Sequence, residues 1–227
     1  MILNAEEGAR GENNGLQDIS AKLWNLQKTK YPSITVADLI QVASSVAIVV
    51  CPGGPVVTTF VGRKDSSVAN PGGGLPDVHA PGSNLFKLFQ DKGFDAVDLA
   101  ALLGAHSTSK ALAQDDIPAN APQDSTPGIW DVKYYAETLK PPTGVRPFAS
   151  DISLAAHPQV GKEFKGFVNN QGKWTGKFAD AMLRMSLLGV PGGSDPKKRL
   201  VDCTSVIPRA TSIKRDIKAA PINDRIR

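Results

Sequence analysis

Residues 98–106 read DLAALLGAH, and STSKA follows at 107–111. Asp95 is placed to cap a helix in which Val97, Leu99, Leu102 and Leu103 form an apolar run that ends at His106. Such a run delivers an imidazole into a core, where both ring nitrogens need partners. Two readings follow. The histidine is a core residue satisfied by a backbone carbonyl, or it is a metal or haem ligand whose second nitrogen donates to a carboxylate. The other two histidines read as surface residues, because His79 lies in a Pro/Gly loop and His157 precedes Pro158.

Working outward, the pattern is helical. Leu16, Ile19, Leu23 and Leu26 recur at three- and four-residue spacing, predicting one apolar helix face over 16–28. Thr35 with Asp38 forms a capping pair for a second helix. That helix carries Leu39, Ile40, Val42, Ala43, Val46 and Ala47 around most of its circumference, which predicts burial at the centre. VVTTFV at 56–61 is β-branched and reads as a short strand. Residues 62–82 read as loop, Ser83 as the cap of a helix bearing Leu85, Leu88 and Phe89, and 113–129 as a second polar loop. Short helices follow at 132–139 and 160–168. A longer one starts at Thr175, carries Phe178, Met182, Met185 and Leu188, and stops at Gly189. The fold class is mainly α with long irregular loops.

Composition narrows the function. The chain has 227 residues, 41% hydrophobic, with 21 Gly, 17 Pro and 2 Cys, which suits a folded domain and not a disulfide-built miniprotein. No stretch approaches the roughly 20 apolar residues of a membrane span, and the N-terminal MILNAEEGARGENNG lacks the features of a signal peptide. The formal charge is +4, but residues 209–227 hold six basic and two acidic side chains, leaving twenty of each sign elsewhere. The excess belongs to a tail with few apolar residues, expected to be mobile, beyond a domain spanning 1–208. Neither nucleic acid nor membrane is an expected partner. HExxH, CxxC, GxSxG, P-loop and GxGxxG motifs are all missing.

Two further clusters carry chemistry. DSTPGIWD at 124–131 places two carboxylates, a hydroxyl and free carbonyls within eight residues, a set suited to a hard cation or to an ordinary capping loop. Asp151, in PFASDISLAAHP, reads alone as a helix-cap or turn aspartate.

In this order, ADLIQVASSVAIVVCPGGP, FVGRKDSS, DLAALLGAHSTSKA, DSTPGIWDVKYYAETL, SDISLAAHP, GFVNNQGKW, MLRMSLLG and LVDCTSVIP resemble the plant-type haem peroxidase superfamily, most closely its fungal secreted class II branch of lignin, manganese and versatile peroxidases. The resemblance implies a haem-peroxidase-like helical fold with haem b and Ca2+ as cofactors. It implies an oxidoreductase that uses hydrogen peroxide to oxidise small aromatic reducing substrates. His106 would be the proximal iron ligand, with Asp151 accepting its other N–H and making the imidazole more electron-donating. Ser107, Asp124, Thr126, the Ile129 carbonyl and Asp131 would hold the calcium ion. Glu7 and Asn13 fall on the carboxylate and amide that orient a distal histidine in the family. A secreted protein is implied, although this chain shows no signal peptide.

The departures from the family pattern shape a second expectation. The distal Arg and His are not found in these 227 residues, so the chain resembles an N-terminally truncated peroxidase lacking the distal helix, with low activity. Peroxide cleavage needs a base to move the proton and a cation to stabilise the leaving oxygen. The alternative is a non-catalytic scaffold, haem-binding or serving interaction. Ala101 stands where some relatives carry a surface oxidising Trp, Leu112 where manganese oxidisers carry an Asp ligand, and Gln123 where an aromatic packs against the proximal imidazole. By the same resemblance Cys51 has its partner in the missing region and Cys203 would pair at the position of Lys162, so the two cysteines are not expected to pair with each other.

Overall fold

A computed structural model describes residues 2–112 and 117–209. The basic tail lies beyond them, apart from Arg209, as do four residues of the second polar loop. The described elements are α1 (Ala5–Gly8), α2 (Gln17–Thr29), α3 (Val36–Val50), β1 (Phe60–Val61), α4 (Gly82–Asp91), α5 (Ala96–Leu103), α6 (Lys133–Leu139), α7 (Ala149–Ala156), α8 (Val160–Gly166), α9 (Gln171–Ser186) and β2 (Val201–Asp202). The fold is helix-rich, as the sequence pattern predicts. Its one sheet among the described residues is the antiparallel pair β1–β2, with Phe60 opposite Asp202 and Val61 opposite Val201. No helix of the described residues is long and apolar enough to cross a membrane.

The centre belongs to α5, which packs against α8 and α9. Around it sit Tyr134, Tyr135, Phe164, Phe167, Trp174 and Phe178, each under 2% exposed. A capping box starts α5: the Asp95 carboxylate accepts the Asp98 N–H (2.9 Å) and the Asp98 carboxylate accepts the Asp95 N–H (3.0 Å). Its C-terminal carbonyls are satisfied by side chains. Tyr135 donates its hydroxyl to the Ala100 carbonyl (3.0 Å) and Trp174 its indole N–H to that of Ala101 (3.0 Å).

Several expectations need correction. Helix α3 is not central, since Ile40 and Val50 are exposed while Ser44, Ala47 and Ile48 line a cavity. One face of the helix lines the cavity and another meets solvent, so apolar residues all round it do not imply burial at the centre. The helix predicted over 16–28 is present as α2; in its apolar stripe Leu16 and Ile19 are exposed and Leu23 and Leu26 half-buried, and its buried residue is Gln27, which donates to the Ile34 carbonyl (3.1 Å). Thr35 does accept the Asp38 N–H (3.2 Å), but the Asp38 carboxylate turns away, to the backbone N–H of Gly62 (2.7 Å) and to Arg63. The strand read over 56–61 shrinks to two residues. Pro81, not Ser83, precedes α4, and the Gly82 N–H donates to Ser153 Oγ (2.6 Å). Helix α9 begins four residues earlier than its apolar pattern, because the Asn170 side chain caps it by accepting the Lys173 N–H. His157 is half-buried and not merely a surface residue: its ring meets Phe86 edge-on and its Nδ1 accepts the Val160 N–H (3.4 Å).

Candidate functional site

The last turn of α5 tightens into a 3-10 segment, Gly104–Thr108, that presents His106. Gly104 is required there. A Cβ on it would come within 2.3 Å of Trp174 Nε1 and 2.5 Å of the Tyr135 hydroxyl, the two groups that hold the carbonyls of α5. His106 Nδ1 meets Asp151 Oδ2 at 2.9 Å and Oδ1 at 3.1 Å. Asp151 is fully buried in the first turn of α7. Burial works against charge on the His106 ring, but the Asp151 carboxylate outweighs it and raises the imidazole above its ordinary range. With Nδ1 engaged, Nε2 is the nitrogen without a hydrogen bond among the described residues.

His106 lines a cavity of about 640 Å³, whose walls come from α3, α4, α5, α9 and the 76–78 loop. That volume lies within the range of small-molecule and cofactor sites. The lining is mostly apolar, including Leu99, Leu103, Phe178 and Met182. Asp77 and His106 are its only Asp, Glu, His, Lys or Arg residues among those described. Two rings that the sequence reading missed hold the imidazole edge-on: Phe148 at 5.3 Å and Tyr134 at 5.9 Å. They do the packing expected of an aromatic at 123. Gln123 is fully buried and occupied otherwise, with its Oε1 accepting from Ser109 Oγ and its amide donating to the Ala121 carbonyl (3.1 Å). Burial, then the charge of Asp151, pushes the Tyr134 hydroxyl well above the usual phenol range.

The oxygen-rich loop is drawn together. Thr126 donates its N–H to Asp124 Oδ1 (2.8 Å) and its hydroxyl to Asp131 Oδ2 (2.9 Å), and the Ile129 carbonyl accepts the Asp131 N–H (3.1 Å). The isolated bridge between Lys110 and Pro122 and the Ala111 N–H to Ala121 carbonyl bond (2.9 Å) run the segment before Asp124 antiparallel to the one after Ser107. Ser107 Oγ and Asp124 Oδ2 are both buried without a hydrogen-bond partner. Burial foremost, with the charges of Asp131 and Glu137, pushes the Asp124 carboxyl up to about 8, and burial raises Asp131 as well. Two desolvated carboxylates, one of them with a buried oxygen that has no hydrogen-bond partner, are a donor set that suits a hard cation. They do not resemble a zinc-type cluster, and no group of three or more His, Cys, Asp or Glu suited to a metal occurs among the described residues.

The remaining candidates lie elsewhere. Asn13 donates its side-chain N–H to the Glu7 carbonyl (2.7 Å) and Glu7 Oε1 accepts the Asn70 N–H (2.6 Å), yet neither residue belongs to the cavity wall. Ala101 is fully buried, and Leu112 is 63% exposed beside Gly15. Cys51 lines the cavity, Cys203 is half-buried, and no disulfide joins them.

The family model described as "Peroxidase" matches residues 1–170. The chain is 32% identical over 192 residues to a low-redox potential peroxidase of Taiwanofungus camphoratus, covering 77% of this chain and 56% of that protein. It is 31% identical over 214 residues to manganese peroxidase 3 of Phlebia radiata (86% and 57%), and 31% identical over 204 residues to L-ascorbate peroxidase 3 of Arabidopsis thaliana (89% and 70%). The chain thus spans less than three fifths of the length of these two fungal relatives. On the family match and these identities, the chain belongs to the peroxidase family and resembles its fungal class II members.

Proposed function

We propose that the chain binds haem b through His106 Nε2 and serves hydrogen-peroxide-dependent oxidation of small aromatic reducing substrates. The observation that carries this is the His106–Asp151 pair set into the wall of a large apolar cavity. Haem, when bound, would supply the redox chemistry, as cofactors do. Asp151 is the positioning residue: it fixes the tautomer by accepting the proton on Nδ1, leaves Nε2 for the iron, and makes the imidazole a stronger donor. Phe148 and Tyr134 hold the ring plane, and the apolar walls exclude water. Ser107, Asp124, Thr126, the Ile129 carbonyl and Asp131 would hold Ca2+ and so tie the segment after His106 to the 124–131 loop. Secretion is part of the same reading, by likeness to the fungal relatives.

The cavity lining also supports a second reading, a haem-binding or interaction scaffold without efficient turnover. It holds no Arg, no Lys and no second His among the described residues, so nothing there matches the acid–base and cation pair that peroxide cleavage needs. Haemin titration followed in the Soret region tests the shared premise. Uptake by the wild type and its loss in His106→Ala are expected, with slow donor oxidation by these 227 residues alone. Asp151→Asn is expected to keep uptake but raise the reduction potential of the bound iron, measured by spectroelectrochemistry. Unchanged uptake in His106→Ala would refute the ligand assignment.

Calcium makes a separate prediction whose sign reverses with the ion. At a hundredfold excess over its Kd, Ca2+ should stabilise the chain by about 2.7 kcal/mol. Asp124→Asn should abolish that gain while leaving the calcium-free protein equally or more stable, since it removes a poorly solvated carboxyl. Thermal melts with calcium and with chelator check both arms.

A further inference from the structure

Three tryptophans occur in the chain, and two of them, Trp130 and Trp174, are buried in contact with each other. Their rings are stacked, with centroids 5.6 Å apart and planes 13° from parallel. Trp130 is part of the cavity wall that also carries His106, whereas Trp174 lies behind it, its N–H bonded to the Ala101 carbonyl. A second line of rings reaches the same pair from the imidazole: Tyr134 lies 5.9 Å from His106, Tyr135 5.2 Å from Tyr134, and Trp174 5.9 Å from Tyr135. We propose that the stacked Trp130–Trp174 pair is an internal one-electron donor to a redox group held in this cavity. The proposal rests on the haem reading above.

The physical argument concerns which ring can hold a hole. Two stacked indoles share a positive charge across both π-systems, and the Phe178 edge, 4.8 Å from Trp130, completes an aromatic enclosure that keeps water out. Oxidising an indole need not move a proton. The Trp174 N–H faces a carbonyl, which is no base, and the Trp130 N–H is buried without an acceptor. Oxidising a phenol expels its hydroxyl proton. The Tyr135 hydroxyl faces the Ala100 carbonyl, which is no base either, and the Tyr134 hydroxyl is buried without a hydrogen-bond partner. The tyrosines are therefore bridges and the indole pair the resting place. The step is electron transfer alone. One electron passes from the pair to haem that hydrogen peroxide has oxidised, the haem is reduced by one electron, the pair becomes a radical cation, and no bond is made or broken. An organic reducing donor returns the electron.

The test uses the haemin-loaded chain carrying Trp24→Phe, so that the exposed Trp24 cannot report. The chain is grown with ring-deuterated tryptophan or ring-deuterated tyrosine, mixed with peroxide and frozen for electron paramagnetic resonance. The proposal expects a protein radical narrowed by tryptophan deuteration only, and lost in Trp130→Phe compared at matched haem loading. A second arm oxidises the same chain without haem by a flash-generated ruthenium(III) complex, and expects the same tryptophan signal. Failure of haemin to bind overturns the haem reading and this proposal with it. Normal haemin uptake with a tyrosine-labelled radical, no radical in either arm, or an undiminished signal in Trp130→Phe overturns this proposal alone. Because Trp174→Phe removes a buried hydrogen bond, Trp130→Phe is the deciding variant and circular dichroism checks its fold.

Discussion

Arg63→Met is expected to lower stability by about 3–5 kcal/mol, the usual cost of stripping one partner from a buried ion pair. Arg63 and Asp38 have side-chain exposures of 7% and 5%, and Arg63 Nη1 meets Asp38 Oδ1 at 3.1 Å. The guanidinium also donates to the Phe60 carbonyl and, through Nη2, to the Ser186 carbonyl at 2.8 Å. One side chain therefore ties the start of α3, the strand β1 and the end of α9, and both helices contribute to the cavity wall. Removing it leaves the Asp38 carboxylate facing only backbone N–H groups in a dry site. Urea unfolding should show a lower midpoint with a similar slope. The double variant Asp38→Leu/Arg63→Met should recover much of the loss, because an apolar pair carries no uncompensated charge. If the single variant loses under 1 kcal/mol, the pair is not holding these elements together.

The contrast between Arg63 and His106 shows what the sequence could reveal. The helix ending at His106 is a local object. Asp95 and Asp98 are three residues apart, and the apolar run between cap and imidazole is contiguous, so both are legible in one stretch. The His106–Asp151 pair joins residues 45 apart, and only the resemblance to a family linked them. Arg63 reads as an ordinary charge in a polar loop; nothing nearby announces that its partner is Asp38, which itself reads as part of a helix cap. Tyr134 and Phe148 escape for the same reason, since their contacts with His106 span 28 and 42 residues. The misjudged burial of α3 has a different cause. Periodicity identifies an apolar face but not what covers it, and here one face lines a cavity while another meets solvent.

Gly104→Ala is expected to lower both stability and haemin affinity. The new Cβ has no free volume, because Trp174 Nε1 and Cε2 and the Tyr135 hydroxyl all lie within 2.5 Å of it. Overpacking of this kind costs about 1–3 kcal/mol. Either aromatic that yields also abandons a carbonyl of α5, and each buried donor left unpaired costs about 1–3 kcal/mol more. The damage is directional as well as energetic. Gly104 opens the 3-10 turn that carries His106, so any shift of Trp174 or Tyr135 moves the imidazole relative to Asp151. Haemin affinity should fall further than stability alone explains, with a weakened Soret band persisting at temperatures where circular dichroism shows the helices intact. Gly176→Ala provides the control within the same molecule. It lies exposed in α9 with nothing within 4 Å of its added Cβ, so the substitution should stabilise by about 0.5–1 kcal/mol through helix propensity. Opposite signs for the same chemical change, read in parallel melts and haemin titrations, would establish that the aromatic cradle around Gly104 sets the position of His106. Equal and small effects at both positions would show that the turn adapts and that the imidazole is placed by Asp151 alone.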